Sequence, residues 1–331
     1  MTLMKTFMAS LALAALATGS ALAEPALIFD LGGKFDKSFN EAAYRGAERW
    51  AEETGGSYKE LEMQSEAQRE QALRRLAETG ANPIVMTGFA FGNILNEIAP
   101  DYPDTKFAII DAVVDQPNVK SIMFAEQEGS YLVGVLAAMA SESGTIGFIG
   151  GMDVPLIRQF GCGYAQGAKA ENPDIKIVAN MTGTTPAAWN DPVKGGELTK
   201  AQISQGADVV FAAAGGTGIG VLQAAADGGI LSIGVDSNQN HLHPGKVLTS
   251  MIKRVDVAVY EAFKAGEDLE TGQSVLGLES DGVGYALDDN NASLITDEMK
   301  AKVDEIAEKI KSGEIEVHDY YSDNTCPALN F

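Results

Sequence analysis

The feature that most constrains this chain is an alternation. Short apolar runs that end in Asp, Gly or Ser take turns with longer amphipathic stretches along most of its 331 residues. ALIFD (26–30), SYKELEM (57–63), PIVMTG (83–88), KFAIID (106–111) and NVKSIMF (118–124) read as strands. SFNEAAYRGAERWAEET reads as a helix with Ala43, Gly46, Ala47 and Trp50 on one face. EAQREQALRRLAET, a short segment near Ile94 and EGSYLVGVLAAMAS read as further helices. The rhythm then restarts. TIGFIGG, IKIVANMTG, DVVFAAAGG and LSIGVDS are separated by helical stretches at 155–170, 191–205 and 217–228. Parallel strands need long crossovers, and helical crossovers cover the faces of the sheet. Two successive runs of such units predict two doubly wound lobes.

The last third breaks the rhythm. KVLTSMIKR and QSVLGLESDGVGYALD read as long extended runs flanking a helix at 255–265, and a charged helix follows at 296–314. Extended segments placed there are suited to cross between lobes, as in a hinged receptor that closes on its ligand.

The N-terminus, MTLMKTFMASLALAALATGSALA, has one lysine, an apolar run and an Ala-Leu-Ala ending. It reads as a signal peptide over residues 1–23, with cleavage before Glu24. No cysteine follows that point, so the expectation is a soluble, exported chain without a lipid anchor. The net charge of −22 becomes −23 once Lys5 is removed. Such a chain repels nucleic acid and anionic membrane, and it disfavours ligands that carry phosphate. Cys162 and Cys326 are the two cysteines. An oxidising compartment permits one disulfide between them, and two unpaired thiols remain the alternative.

Open parallel sheets bind ligands outside the carboxyl ends of their strands. The ends to inspect are Asp30, Gly88, Asp111, Gly183, Gly215 and Asp236. At the first of them, Ser38 followed by Glu41 has the form of a capping box. That makes Ser38 the expected N-cap, with Phe39 and Asn40 opening the helix beside Asp30, and Asp36 in the connecting turn. A ligand there meets a flat apolar ring, a carboxylate and an amide. The plainer alternative is a core aromatic and a turn-forming acid. The same chemistry recurs at Asp111, at Asp236 and at Trp189 with Asn190. Gly215 and Gly216 bring bare backbone to a strand end, and Lys253 ends a candidate crossing strand. Aromatic faces would sandwich a ring, and carboxylates would accept from N–H, amino or hydroxyl groups.

The common sequence signatures of catalysis are missing. The sequence holds no G-x-x-x-x-G-K-[ST] run, no H-E-x-x-H and no G-x-S-x-G. GGTGIG lacks dinucleotide-fingerprint spacing, and HLHP (241–244) reads as a polar loop rather than a metal pair. The expectation is therefore a binding protein with no cofactor.

Five segments carry a resemblance: DLGGKFDKSFN (30–40), FAIID (107–111), GGTG (215–218), GVDSNQ (234–239) and TSMIKRVD (249–256). In this order the chain resembles the basic membrane protein family, the purine-nucleoside-receptor-like substrate-binding proteins of ABC transporters. The resemblance implies an α/β, type I periplasmic-binding-protein fold, two doubly wound parallel-sheet lobes joined by three crossovers. The implied lobes are 24–124 plus 254–276 and 125–253 plus 277–331. It implies that Phe39 and Trp189 stack on a purine, that Asp30 and Asp111 contact the base region, and that Asn40 lies beside the base. Asp236 and Lys253 would hold ribose hydroxyls, helped by backbone at Gly215 or Gly216. The implied partners are a nucleoside ligand and ABC permease subunits, with the protein itself a monomer. Many members carry a lipobox cysteine, and its absence here points to a soluble protein of a Gram-negative periplasm. A sugar or signal receptor on the same fold is the first rival, and an exported nucleoside hydrolase the second. A DNA-binding regulator would need a helix-turn-helix where the signal peptide stands.

Overall fold

A computed structural model describes residues 23–331, so the signal-peptide reading lies outside the described residues. In the first half, β1 (Ala26–Phe29), α1 (Phe39–Thr54), β2 (Lys59–Glu62), α2 (Arg69–Glu78), β3 (Ile84–Thr87), α3 (Gly92–Ile98), β4 (Phe107–Ile110), β5 (Val119–Phe124) and α4 (Glu126–Ala140) follow one another. Next come β6 (Thr145–Met152), α5 (Pro155–Glu171), β7 (Lys176–Gly183), α6 (Pro192–Ser204), β8 (Val209–Ala213), α7 (Thr217–Asp227), β9 (Leu231–Asp236) and β10 (Val247–Lys253). The chain ends with α8 (Val255–Ala265), β11 (Gly272–Leu276), β12 (Val283–Tyr285) and α9 (Asp297–Lys311). The predicted alternation is thus present nearly element for element.

The strands form two six-stranded sheets, ordered β11-β5-β4-β3-β1-β2 and β12-β10-β9-β8-β6-β7. All pairings are parallel except β10 with β12. β1, β3, β4 and β8 are buried along their whole length, as expected of strands covered on both faces. This is the type I periplasmic-binding-protein fold. The chain passes between sheets three times: from β5 to α4, from β10 to α8, and from β11 to β12.

The run 273–288 is not one long strand. It breaks into β11 and β12 around a turn in which the Gly282 N–H donates to the Gly277 carbonyl at 2.8 Å. A Cβ at Gly282 would collide with Leu276, so the turn needs glycine there. The three passages are laced together. Ala125 N–H donates to Leu276 O at 3.0 Å, Arg254 N–H to Gly282 O at 2.9 Å, and Leu278 N–H to the Glu128 carboxylate at 2.7 Å.

Glycine also sets how closely helices approach. A Cβ on Gly134 would collide with the Tyr164 carbonyl, and one on Gly167 with the Tyr131 carbonyl, so α4 and α5 meet backbone to backbone. Gly46 plays the same part between α1 and Asp256 at the start of α8. Cys162 on α5 and Cys326 form a disulfide, which fastens the C-terminal tail to α5. Gly134→Ala should destabilise the protein by about 1–3 kcal/mol in urea unfolding, because the helices must part to admit a methyl group. Gly284→Ala, in β12 with open space around its Cβ position, should shift stability by less than about 0.5 kcal/mol. Equal effects of the two substitutions would refute the close-approach argument.

Candidate ligand-binding cleft

The carboxyl ends of the central strands of both sheets converge on one cavity. It encloses about 630 Å3 not filled by protein, part of it open to solvent. From the first sheet come Asp30, Gly88 and Asp111, which follow β1, β3 and β4, with Phe39 and Asn40 at the start of α1. From the second come Gly215, Asp236 and Lys253, with Trp189 in the short helix Pro186–Trp189. Eight of the nine residues singled out in the sequence line this cavity. The ninth, Gly216, sits just outside it at the N-cap of α7, against the Trp189 carbonyl. Asp111 and Asp236 adopt left-handed backbone, with φ of 70° and 62°, which is uncommon for residues other than glycine and concentrates at functional sites.

The turn before α1 is wired differently from a capping box. Ser38 occupies the N-cap position, but its hydroxyl makes no capping bond. The Asp36 carboxylate does that work, accepting from the N–H groups of Ser38, Asn40 and Glu41 at 2.8–3.1 Å. The Glu41 carboxylate accepts from Lys37 N–H instead of reaching back to Ser38. Freed from capping, the Ser38 hydroxyl crosses to the other sheet and bonds the Asp236 carboxylate. Asp36 itself lines the cavity. Burial pushes its carboxyl up to about 7, against the pull of the backbone donors, and burial likewise raises Asp236 to about 6.

Asn40 is saturated by protein. Its amide hydrogens go to the Asp30 and Gly33 carbonyls at 3.1 and 3.2 Å, and its oxygen accepts from Thr87 at 3.0 Å. It therefore shapes the wall from which it faces the cavity. Asp30 is held by Arg69, which donates twice to Oδ1 at 2.7 and 3.2 Å, while Leu31 N–H donates to the same oxygen. Burial raises the Asp30 carboxyl, and Arg69 opposes the rise. Its second oxygen lies beside Gly88, where a Cβ would intrude at 2.8 Å.

Lys253 is buried, and its ammonium lies 2.7 Å from both oxygens of Asp111 and 2.9 Å from Glu126. The rings of Phe124, Phe39 and Phe160 surround it at 5.0–5.6 Å. Burial opposes its charge, but Asp111, Glu126 and Asp236 outweigh that and hold it above the ordinary lysine value. Glu126 is raised to about 7, chiefly by burial. Further bonds join the two sheets beside the cavity. Ser237 donates to the Ser38 carbonyl at 2.7 Å, Arg45 to Ser237 at 2.8 Å, and Gln239 to the Lys37 carbonyl at 3.0 Å.

Four contributors escaped sequence reading. Arg69 sits in a helix whose other charged residues lie toward water, and Glu126 opens a helix that is otherwise mostly apolar. Phe160 looks like any core aromatic of α5. Asp36 lies in the turn, and the capping pattern points to Ser38 instead. The place of Asp36, two residues before Ser38 and three before the first helical residue, is the signal that could have identified the cap.

The family model for Bmp, described as ABC transporter substrate-binding protein PnrA-like, matches residues 24–320. An uncharacterized lipoprotein of Pyrococcus horikoshii is 35% identical, covering 89% of this chain and 85% of the relative. An ABC transporter nucleoside-binding protein of Lactococcus lactis is 33% identical, covering 86% and 87%. The crystal structure of an ABC transporter solute-binding protein from Aeropyrum pernix superposes with a TM-score of 0.80 at 30% identity, covering 90% of this chain and 93% of that one.

Lys253→Ala leaves Asp111 and Glu126 buried without their cation, and should cost about 3–5 kcal/mol of stability near pH 8. Glu126, already raised by burial, loses the lysine that pulls it down and rises further above its unfolded value. Its contribution is fully present below the unfolded value and is lost as pH rises, so the deficit should shrink toward pH 5. Urea unfolding of both proteins at pH 5 and 8 measures it, and a deficit that grows toward pH 5 would refute the account.

Proposed function

This chain belongs to the Bmp family of PnrA-like substrate-binding proteins of ABC transporters, and from that premise we propose that it captures a nucleoside, with purine the expected base, between its lobes. The observation that carries the reading is the pairing of Phe39 and Trp189. The two rings come from opposite sides of a single cavity that Phe89 and Phe160 also line, and the cavity's polar side chains are mostly carboxylates. Rings stack on a base, and carboxylates accept from its N–H or amino groups and from sugar hydroxyls.

In this reading Phe39 and Trp189 hold the base between them. Asp30, through its free oxygen, and Asp111 face the base region, and Asp236 takes ribose hydroxyls with backbone help from Gly215. Lys253 holds Asp111 in place beside them. Residues 24–124 with 254–276 form one lobe, and residues 125–253 with 277–331 the other. Closure buries the ligand, and the closed surface is offered to permease subunits. The ligand is released unchanged, and the receptor works as a monomer in the periplasm without a lipid anchor. Relatives named lipoproteins make that last point one to check by the mass of the mature N-terminus.

The test is calorimetric titration of protein that has been unfolded and refolded to strip bound ligand. The panel is adenosine, guanosine, inosine, uridine, adenine, AMP, ribose and glucose. Binding of purine nucleosides with AMP and the sugars silent is expected. Binding of a sugar, or silence toward every nucleoside, would sink the assignment while leaving the family untouched. Phe39→Ala should weaken nucleosides by roughly 5- to 150-fold, the equivalent of about 1–3 kcal/mol of stacking. Asp236→Ala should weaken ribosides far more than free bases, and equal losses would remove Asp236 from the ribose.

A further inference from the structure

The cavity wall carries four carboxylates, those of Asp30, Asp36, Asp111 and Asp236, and one cation, Lys253. A lysine ammonium has three hydrogens to donate. Two are donated to the oxygens of Asp111, each 2.7 Å away, while Glu126 Oε1 lies 2.9 Å from the same nitrogen as an ion pair without accepting a hydrogen bond. Glu126 is fully buried and does not line the cavity. It stands behind Lys253 as the first residue of α4, with its other oxygen accepting from Gln159 at 3.0 Å. One carboxylate, Asp111, would already neutralise the lysine. The second makes the cluster anionic.

We propose that Glu126 is a specificity-determining residue that acts through Lys253. By placing a negative charge behind that ammonium, Glu126 closes the cleft to phosphorylated nucleosides and leaves it open to neutral ones. The inference rests on the nucleoside reading. It assigns the exclusion of phosphate to a residue that touches no ligand, and not to the overall acidity of the chain. A unit charge acts over several ångströms in a partly desolvated site, so its removal should be felt by an anionic ligand and hardly by a neutral one.

The experiment titrates adenosine and AMP, with AMP also run in competition against adenosine, into wild-type protein, Glu126→Gln and Asp281→Asn. Glutamine keeps the size of the side chain and an oxygen facing Lys253, while the charge is lost. Asp281 is an exposed acid in the turn between β11 and β12, and its loss changes the net charge by the same amount. Glu126→Gln should raise the affinity for AMP relative to adenosine by about tenfold or more, the expected scale for one nearby charge. Asp281→Asn should leave the ratio unchanged. An unchanged ratio in Glu126→Gln, or an equal rise in both variants, overturns the proposal, as does a parallel loss of both ligands. If Glu126→Gln fails to fold, Glu126→Asp withdraws the oxygen but keeps the charge. The ratio should then rise by a smaller factor, and no rise overturns the proposal. Wild-type protein that binds no nucleoside at all overturns the nucleoside reading, and this inference falls with it.

Discussion

Everything about the cleft depends on one buried ammonium. Lys253 ends β10 at the second passage between sheets, Asp111 follows β4 in the first sheet, and Glu126 opens α4 at the first passage. A lone charge at that depth would be prohibitively costly, and so would either carboxylate. Each is tolerable only while the others stay within bonding distance. The cluster therefore fixes the meeting point of two sheets and one helix. The three phenylalanine rings around it exclude water and so strengthen the attraction. Conformational specificity, more than net stabilisation, is what such a cluster supplies.

The turn before α1 obeys the same logic, with neutral donors except for Arg69. Asp36 gathers three backbone N–H groups, Asn40 spends its whole amide on the loop and Thr87, and Arg69 takes one oxygen of Asp30. Little is left over. The carboxylate oxygens that remain open toward a ligand, such as the second oxygen of Asp30, are acceptors. A cleft of this kind is matched by a molecule rich in donors, and a ligand that brings acceptors of its own must find backbone N–H groups.

The fold was legible because its signal is periodic. Fully buried parallel strands read as unbroken apolar runs that stop at Asp or Gly, and this chain repeats that pattern in both halves. The site was legible in outline for a related reason. Asp30, Asp111 and Asp236 end strands, and strand ends are where such sheets bind. What stayed hidden was pairing. No spacing in the sequence says that Arg69 belongs to Asp30, or Glu126 to Lys253, since those partners lie 39 and 127 residues apart. Ser38 misled because a capping box and a serine free to bridge two sheets look identical until Asp36 is seen taking the backbone donors. The extended run at 273–288 misled because a strand that changes sheets keeps its composition while its path bends at glycine.

The first sheet is completed by residues from the far end of the chain. Its edge strand β11 and the helix α8 that packs against α1 arrive after residue 254. A chain made from its N-terminus must therefore hold five strands and the glycine-marked face of α1 uncovered while roughly 130 further residues are added. During that interval the second sheet has everything it needs except β12. The half of the molecule that is written first thus stays incomplete until β11 is made, and a nascent chain stalled before residue 255 would lack an edge strand from each sheet.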